Sequence, residues 1–434
     1  MIETQVPSRQ PDLEGRVSCG IQDALAHVDG LTFHRCCGKK LARISSDSTS
    51  SKKGEGMGSS TERSVEVDFF RGVALLVIAL DHNTSGVLRH VTLHTYAYCD
   101  AAEVFVFLGG YASAAAYVGV ATRRGKLVAR RRFLKRACDI YRAYLITAAL
   151  MLACSAALRF VNVPLAAIHQ TWPMFAAHPV RTLLDFALFR QQPFLSAVLP
   201  MYVLFAFGVP FTVPLFRRSP SVALFASLAV WLAAPWLGTG LPSSTGEGWP
   251  FNPFAWQLMF TLGKLSRLHP VSQEFHASFR GRQVTKIAIG VALVIAFIKL
   301  CIDAHASPGY MKQNLASVRI VSFLSIAWLC AQAVRLGWIR LLAERLWPVV
   351  IVGRQGLACF VGGTIVSIFA DVGLQLVTRT LHLATDWPIR LAGDCIEIAA
   401  LLLIGTVATR IERSREYHSI KQNVLGFIHA SDER

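Results

Sequence analysis

The sequence predicts an all-α, polytopic integral membrane protein, a bundle of about ten transmembrane helices with both termini in the cytoplasm. Three observations predict this class. Of the 434 residues, 53% are hydrophobic and 16% are charged, whereas a soluble domain carries roughly a quarter charged residues. Apolar runs of about 20 residues, long enough to cross a hydrocarbon core of about 30 Å, recur along the chain. Lysines and arginines concentrate in alternate connections between these runs.

A polar segment precedes the apolar runs, and a short basic segment follows them. Residues 1–65 are interpreted as a basic cytoplasmic tail, residues 66–410 as the multi-pass domain and residues 411–434 as a cytoplasmic C-terminal tail. The ten predicted spans are residues 68–88, 101–121, 139–161, 194–216, 221–238, 251–268, 286–305, 317–337, 347–376 and 390–409.

Two of these spans depart from a plain apolar helix. The sixth is short and contains Lys264. The ninth is long and contains Arg354 and Gln355, so a break within it is one expectation. The N-terminal tail is rich in serine, glycine and basic residues without a sustained hydrophobic period, a pattern typical of disorder. Translation from Met57 would give a shorter protein. Residues 1–56 are therefore either an upstream extension with a misassigned start or a genuine cytoplasmic tail.

The formal net charge of +17 would favour nucleic-acid binding in a soluble protein. Here the charge follows the membrane topology, because multi-pass proteins concentrate Lys and Arg in their cytoplasmic loops. With the N-terminus inside and an even number of spans, most of the 44 basic residues fall on the cytoplasmic side. We therefore expect the lipid bilayer as a partner and exclude nucleic acid.

The cysteines do not indicate a metal centre. No CxxC spacing occurs, and most cysteines lie in or beside apolar runs, where a thiol behaves as a small hydrophobe. Cys19, Cys36 and Cys37 lie near His27 and His34 in the polar tail, but their spacing matches no established zinc pattern. We expect no metal.

Ionisable side chains within the spans are the strongest functional signal, because each is costly in a bilayer. The first span contains Asp68, Arg71, Asp81 and His82. Arg71 and His82 differ by about 20° around a helix axis and are separated by roughly 16 Å along it. This places Arg71 near the cytoplasmic end and His82 beyond the midplane. Asp68 and Arg71 are also spaced for a simple intrahelical ion pair.

His82 is a candidate general base, since an imidazole titrates near neutral pH and a nearby carboxylate can fix its tautomer. Asp81 is one candidate for that carboxylate. The second span begins at Asp100, which is suited to capping the helix, and Glu103 follows one turn later. Glu103 lies inside the apolar run and is expected to face the first span, beside Arg71 or His82.

Later spans add further charged groups. Arg142 lies in the third span and Arg354 in the ninth, where Arg354 requires an anionic partner. Asp371 and Glu397 are intramembrane acids whose partners the sequence does not identify. The sequence contains no GxSxG elbow, HExxH motif, Walker loop or GxGxxG opening a strand–helix unit.

A set of motifs occurs in a recognisable order over about residues 64–370. They are Asp68-Phe-Phe-Arg71-Gly72, Asp81-His82, Asp100-Ala-Ala-Glu103, Tyr141-Arg142-Ala-Tyr144, Leu199-Pro-Met-Tyr202, Phe251-Asn-Pro253 and Gly353-Arg354-Gln355. This ordered set resembles the OpgC-type proteins, the succinyl-transferring membrane acyltransferases of osmoregulated periplasmic glucans, which are related to the wider acyltransferase 3 group. Gly109 and Gly356 stand where the family leads us to expect serine.

The resemblance implies an enzyme of the bacterial inner membrane that takes an acyl group from cytoplasmic acyl-CoA, with succinyl-CoA as the expected co-substrate. The acyl group would pass to a hydroxyl of a periplasmic glucan or other glycan. His82 would deprotonate that hydroxyl, with Asp81 or Glu103 orienting the ring. Arg71, Arg142 and Arg354 would hold the phosphates of CoA.

Three alternatives remain open from the residues alone. A secondary transporter could use the same intramembrane charges as a proton or substrate path. An acyltransferase of the same fold could act on another cell-surface acceptor. The donor could also be acetyl rather than succinyl, although an anionic succinyl group favours an extra cation near His82, for which Arg89 or His90 are candidates.

Overall fold

A computed structural model describes residues 64–160, 171–244, 246, 248–303, 308–381 and 387–432. The regular structure of this part of the chain is helical, and no strand occurs among these residues. The all-α class is therefore confirmed. Residues 1–56, for which two interpretations are given above, lie outside the described residues, as do the cysteines and histidines of the N-terminal tail.

The helices that follow the predicted spans are numbered here in chain order. They are α1 (Val65–His82), α2 (Ala101–Arg124), α3 (Lys126–Phe160), α4 (Val198–Arg218), α5 (Pro220–Thr239), α6 (Pro253–Leu268), α7 (Phe279–Phe297), α8 (Ser317–Arg335), α9 (Trp347–Arg354), α10 (Gly356–Leu381) and α11 (Trp387–Asp432). Shorter helices in the connections are Leu88–Val91, Leu93–Tyr96, Thr171–Ala177, Pro179–Ala187, Phe194–Ser196, Gln273–Ala277, Gly309–Gln313 and Trp338–Arg345, and a π-helical turn, Ile298–Ile302, continues α7.

Eight helices of the described chain are long and apolar enough to cross a membrane, namely α2, α3, α4, α5, α7, α8, α10 and α11. The protein is thus a multi-pass membrane protein. The first and sixth predicted spans also form helices, but α1 carries several charged residues and α6 has only 16 residues. The total of ten spans therefore stays a prediction.

The ninth predicted span is broken. Helix α9 ends at Arg354, Gln355 leaves the helical conformation, and α10 begins at Gly356. The break brings α9 into backbone contact with α1, because a Cβ atom at Gly353 would overlap the carbonyl oxygen of Asp68. Such close approach requires glycine at the contact. Gly72 of α1 lies in the same way against the carbonyl of Val349.

A similar glycine contact joins α2 to α6 in the centre of the bundle. A Cβ atom at Gly110 would overlap the backbone of Phe260, and one at Gly263 would overlap the carbonyl of Phe107. Large buried side chains fill the space around this contact, including Met201 and Trp256. The backbones of α2 and α6, like those of α1 and α9, are therefore in direct contact.

The two faces of the bundle differ in their connections. On one face, here called the basic face, single residues join α2 to α3 and α4 to α5, beside Arg123, Arg124, Arg217 and Arg218. The left-handed conformation of Gly125, with φ 86°, makes the first of these turns possible. The opposite face carries long connections, among them residues 83–100, which follow α1. The excess of Lys and Arg on this face predicts that it lies in the cytoplasm.

Helix α11 is much longer than a span. It runs for 46 residues, which corresponds to roughly 69 Å of helix, more than twice the thickness of a hydrocarbon core. The predicted C-terminal tail, residues 411–434, is therefore a continuation of the last helix as far as Asp432.

Candidate active site

The candidate base His82 is the last residue of α1. The helix ends there because Asn83 adopts an extended conformation, with φ −81° and ψ 95°. The His82 Nδ1 atom is buried and has no hydrogen-bond partner among the described residues. Three charged groups lie within electrostatic range of the ring, namely Lys312, Asp81 and Asp100, and the interaction with Lys312 is the strongest.

Asp81 does not orient His82. Its Oδ1 atom accepts a hydrogen bond from Thr92 Oγ1 at 2.7 Å and lies 3.1 Å from His94 Nδ1. Successive residues of a helix point about 100° apart, so neighbouring side chains do not share a face. Asp81 therefore binds the connection that follows α1 rather than the adjacent imidazole, contrary to the role expected from the sequence.

The cap of α2 is confirmed and includes a second residue. Asp100 is the N-cap, and its Oδ1 atom accepts a hydrogen bond from the Ala102 backbone N–H at 2.8 Å. Glu103 Oε2 in turn accepts from the Asp100 backbone N–H at 2.9 Å. Together these two residues form a capping box, which satisfies two N–H groups at the start of a helix.

The partner of Glu103 is a cation of α8. Glu103 Oε1 accepts a hydrogen bond from Arg319 Nε at 2.6 Å, and both side chains are buried. The expectation that Glu103 would join Arg71 or His82 was therefore wrong. Burial of so polar a pair is tolerated because the charges are matched and the remaining oxygen is used in the cap.

Two cations complete this cluster, Lys312 on the short helix Gly309–Gln313 and Arg319 on α8. Lys312 Nζ lies 2.7 Å from Asp100 Oδ2, and Arg319 Nη2 lies 3.1 Å from the same oxygen. Although burial alone would raise the pKa of the Asp100 carboxyl, Lys312 and Arg319 lower that pKa well below its usual range. Charge balance could have indicated Lys312 and Arg319 from the sequence, because two acids at the start of α2 require two cations nearby.

The residue after His82 is held by two acids of α11. Asn83 is fully buried, and its Nδ2 atom donates to Asp394 Oδ1 at 3.2 Å and to Glu397 Oε2 at 3.1 Å. The other Glu397 oxygen accepts from Ser367 Oγ of α10 at 2.6 Å. The end of α1 is thereby tied to α10 and α11.

Asp394 also binds the backbone beyond Asn83, together with a third acid, Asp371 of α10. Asp394 Oδ2 accepts from the N–H groups of Val87 and Leu88 at 2.8 and 2.7 Å. Asp371 Oδ1 accepts from the Ser85 N–H at 2.9 Å, and Thr84 Oγ1 also donates to this carboxylate. Asp371, Asp394 and Glu397, here called the carboxylate clasp, thus find their partners in N–H and O–H donors, which resolves the two acids left unassigned from the sequence.

At the basic end of α1, the anionic partner expected for Arg354 is Asp68. Arg354 Nε donates to Asp68 Oδ2 at 3.3 Å, and the guanidinium lies 4.5 Å from the centre of the Trp347 ring. Arg71 lies at the same place, because a Cβ atom at Gly356 would come within 2.9 Å of its Nη2. Two of the three predicted phosphate-binding arginines are therefore close together.

Arg142 does not join them. Its side chain is 75% exposed, and its ion-pair partner is Asp139 of the same helix, at 3.9 Å. The neighbouring Tyr144 donates from its hydroxyl to the carbonyls of Phe186 and Gln191, in the connection between α3 and α4 on the opposite face. The structure thus separates Arg142 from the basic end of α1.

The two glycines that stand in place of expected serines have a packing explanation. A Cβ atom at Gly109 would come within 2.9 Å of the Tyr202 ring, and one at Gly356 would crowd the guanidinium of Arg71. The Tyr202 hydroxyl donates to the carbonyl of Phe105 at 2.9 Å. Gly109 thus leaves room for Tyr202, and Gly356 leaves room for Arg71.

Comparisons with known proteins place the chain in a family. No curated protein and no solved structure matches it. The family described as OpgC protein matches residues 63–413, which is well over half of the chain and contains α1 to α10 and the membrane part of α11. The ordered motifs, the multi-pass helical bundle and this match agree, and the chain belongs to the OpgC protein family.

Proposed function

We propose that this protein is a membrane O-acyltransferase of the bacterial inner membrane that moves an acyl group, succinyl, from cytoplasmic acyl-CoA to a hydroxyl of a periplasmic glucan. Membership of the OpgC family supports transfer of an acyl group in a membrane. The observation that carries the proposal is the His82 ring, whose buried Nδ1 has no partner among the described residues. An imidazole nitrogen that has no hydrogen-bond partner in the described part of the chain is available to a substrate.

The position of His82 suits this chemistry. The ring lies at the end of α1, within electrostatic range of Lys312 and Asp100, which belong to the opposite face. The other end of the same helix holds Arg71, beside Arg354. The roughly 16 Å of helix between Arg71 and His82 is about the reach of an extended pantetheine arm. A donor held by its phosphates at the basic face would therefore present its thioester to His82.

In the proposed reaction His82 takes the proton of the acceptor hydroxyl as the oxygen attacks the thioester carbonyl. A C–O bond forms, the C–S bond breaks, and the proton passes from the imidazole to the departing thiolate. The products are the glycan ester and free CoA, so atoms and charge balance without a further reactant. A positioned general base of this kind contributes about 10²- to 10⁴-fold to a rate.

Arg71 and Arg354 are the residues proposed to bind the phosphates of acyl-CoA, since a guanidinium is suited to phosphate by its planar array of donors. Arg142 is omitted from this role because it is 75% exposed and separate from the other two. Asp81 and Glu103 are likewise not assigned to the reacting atoms. They hold the connection after α1 and the start of α2, respectively.

The test is mass spectrometry of periplasmic glucans from cells that lack the gene and are complemented with wild type, His82→Ala or His90→Ala. His90 is an exposed histidine on the connection that follows α1, so His90→Ala is a matched control. We expect wild type and His90→Ala to restore a succinyl-sized increment and His82→Ala to lose it at equal membrane abundance. Full restoration by His82→Ala would overturn its catalytic role.

A glucan profile that does not depend on the gene would overturn the glucan acceptor. Membrane vesicles then distinguish the remaining classes. Transfer of label from acyl-CoA to another surface glycan would indicate the same reaction on a different acceptor. Gene-dependent uptake of a solute without any acyl transfer would indicate a transporter and overturn the proposal.

A further inference from the structure

Lys312 is a cation within electrostatic range of His82 that the acyl-transfer proposal leaves without a role. We propose that its ammonium group binds the carboxylate at the far end of the acyl chain and so selects a dicarboxylic acyl donor over a neutral one. This inference rests on the proposed function and assigns a specificity residue within it.

The position of Lys312 carries the first step. It lies on the short helix Gly309–Gln313, and its backbone carbonyl accepts a hydrogen bond from Trp256 Nε1 at 2.9 Å. Its ammonium lies 2.7 Å from Asp100 Oδ2 and within electrostatic range of His82. Anchoring at both the backbone and the charged end holds the ammonium in one place, which is a requirement for recognising a single group.

The N–H donors of Lys312 are not fully used. Arg319 is 4% exposed, and its guanidinium is engaged by both Glu103 and Asp100. The Lys312 side chain is 39% exposed and shares one oxygen of Asp100. Because an ammonium group has three N–H donors, further donors remain for an anion that reaches this point.

Arg71, His82 and Lys312 follow one another from the basic face to the opposite face, in the same order as the phosphates, the thioester and the terminal carboxylate of a dicarboxylic acyl-CoA. Arg71 lies near the basic face, and His82 follows about 16 Å further along the helix. Lys312, on the opposite face, pairs with Asp100 and lies within electrostatic range of His82. A donor whose phosphates lie at Arg71 and whose thioester lies at His82 directs its acyl chain towards Lys312.

The two cations suggested by the sequence for this role are placed less well. Arg89 Nη1 donates to the carbonyl of Thr84 at 3.2 Å, within its own connection. His90 is exposed. The nearby acids do not oppose an anionic chain strongly, since Asp81 lies against His94, and Glu103 and Asp100 share Arg319 and Lys312.

The experiment compares two four-carbon donors, succinyl-CoA and butyryl-CoA, which differ in the terminal carboxylate. Purified protein in lipid nanodiscs receives each donor with a glucan acceptor, and kcat/KM is measured for wild type, Lys312→Met and Lys312→Arg. Lys299→Met is the matched control, because Lys299 is a buried cation that lies against the ring of Tyr98, also on the opposite face. Thermal midpoints show that each variant is folded.

We expect Lys312→Met to lower kcat/KM for succinyl-CoA by about ten- to a hundred-fold, as for loss of one charge-assisted hydrogen bond, mainly through KM. Butyryl transfer should change less than about threefold, Lys312→Arg should keep the preference for succinyl, and Lys299→Met should keep the wild-type ratio. An equal loss with both donors would show that Lys312 acts on His82 or on the fold, and this would overturn the inference. If wild type transfers neither donor, the proposed function itself fails.

Discussion

His94 Nδ1 lies 3.1 Å from Asp81 Oδ1, although the immediate neighbour of Asp81 in the chain is His82. Thr92 Oγ1 donates to the same oxygen at 2.7 Å. Asp81 thus fastens the connection after α1 back onto the helix that carries the candidate base. Asp81 lies within electrostatic range of the His82 ring, but its hydrogen bonds go to the connection and not to the imidazole.

The Asp81–His94 contact predicts coupled substitutions. We expect Asp81→Asn and His94→Gln to have similar, non-additive effects, with a coupling free energy of about 0.2–1 kcal/mol, because both side chains are partly exposed. Thermal unfolding of the two single variants and the double variant in detergent measures this coupling. His90→Gln is the control on the same connection, and simple additivity of Asp81→Asn with His94→Gln would contradict the contact.

The glycine contact between α1 and α9 predicts a steric effect. Gly353→Ala should destabilise the protein by about 1–3 kcal/mol, since its Cβ would overlap the carbonyl of Asp68 and force α9 away from α1. Gly208→Ala is the matched control, because a Cβ at this helical position meets no atom within 4 Å. It should be neutral or stabilising by up to about 1 kcal/mol. Equal thermal midpoints for the two variants would refute the close approach.

The buried pair of Glu103 and Arg319 predicts an asymmetric mutant cycle. Arg319→Met should cost about 3–5 kcal/mol of unfolding free energy, because it leaves Glu103 buried without its cation. Glu103→Gln keeps the capping box, in which Gln serves as well as Glu. Adding Glu103→Gln to Arg319→Met should therefore recover part of the loss in denaturant-induced unfolding. A double variant less stable than Arg319→Met alone would exclude this pairing.

Cys99 is predicted to be chemically inert in the folded protein. It is fully buried, and burial, assisted by the negative charge of Glu103, raises the pKa of its thiol to about 12. Because the thiolate is the nucleophile, only about one molecule in 10⁴ is reactive at pH 8. Iodoacetamide at pH 8, followed by mass spectrometry, should label Cys99 only after unfolding. A His90→Cys variant gives the rate for an exposed thiol on the same connection, and labelling of folded Cys99 at that rate would contradict its burial.

The features that sequence could predict are those that depend on local spacing. Apolar runs indicated the helices, the position of Asp100 indicated a cap, and Arg354 with Gln355 marked the place where the ninth span breaks. The common face of Arg71 and His82 also follows from helix geometry alone.

The hydrogen-bonded side-chain pairs of the candidate site join distant parts of the chain, so local spacing could not predict them. Glu103 finds Arg319 in α8, and Asn83 finds Asp394 and Glu397 in α11. Which helix lies beside α1 and how it is rotated are decided by glycine contacts and side-chain packing. Arg142 shows the same limit, since its side chain is largely exposed and pairs with Asp139 of its own helix.

The pairing of α2 with α8 also constrains how the protein is made. Arg319 follows Glu103 by 216 residues, so at about 5–20 residues per second the ribosome needs roughly 10–40 s to supply it. During that time Glu103 has no Arg319 to neutralise it, and we expect α2 to stay at the insertion machinery or at the water interface until α8 emerges. The bundle is therefore not completed hairpin by hairpin from its N-terminus.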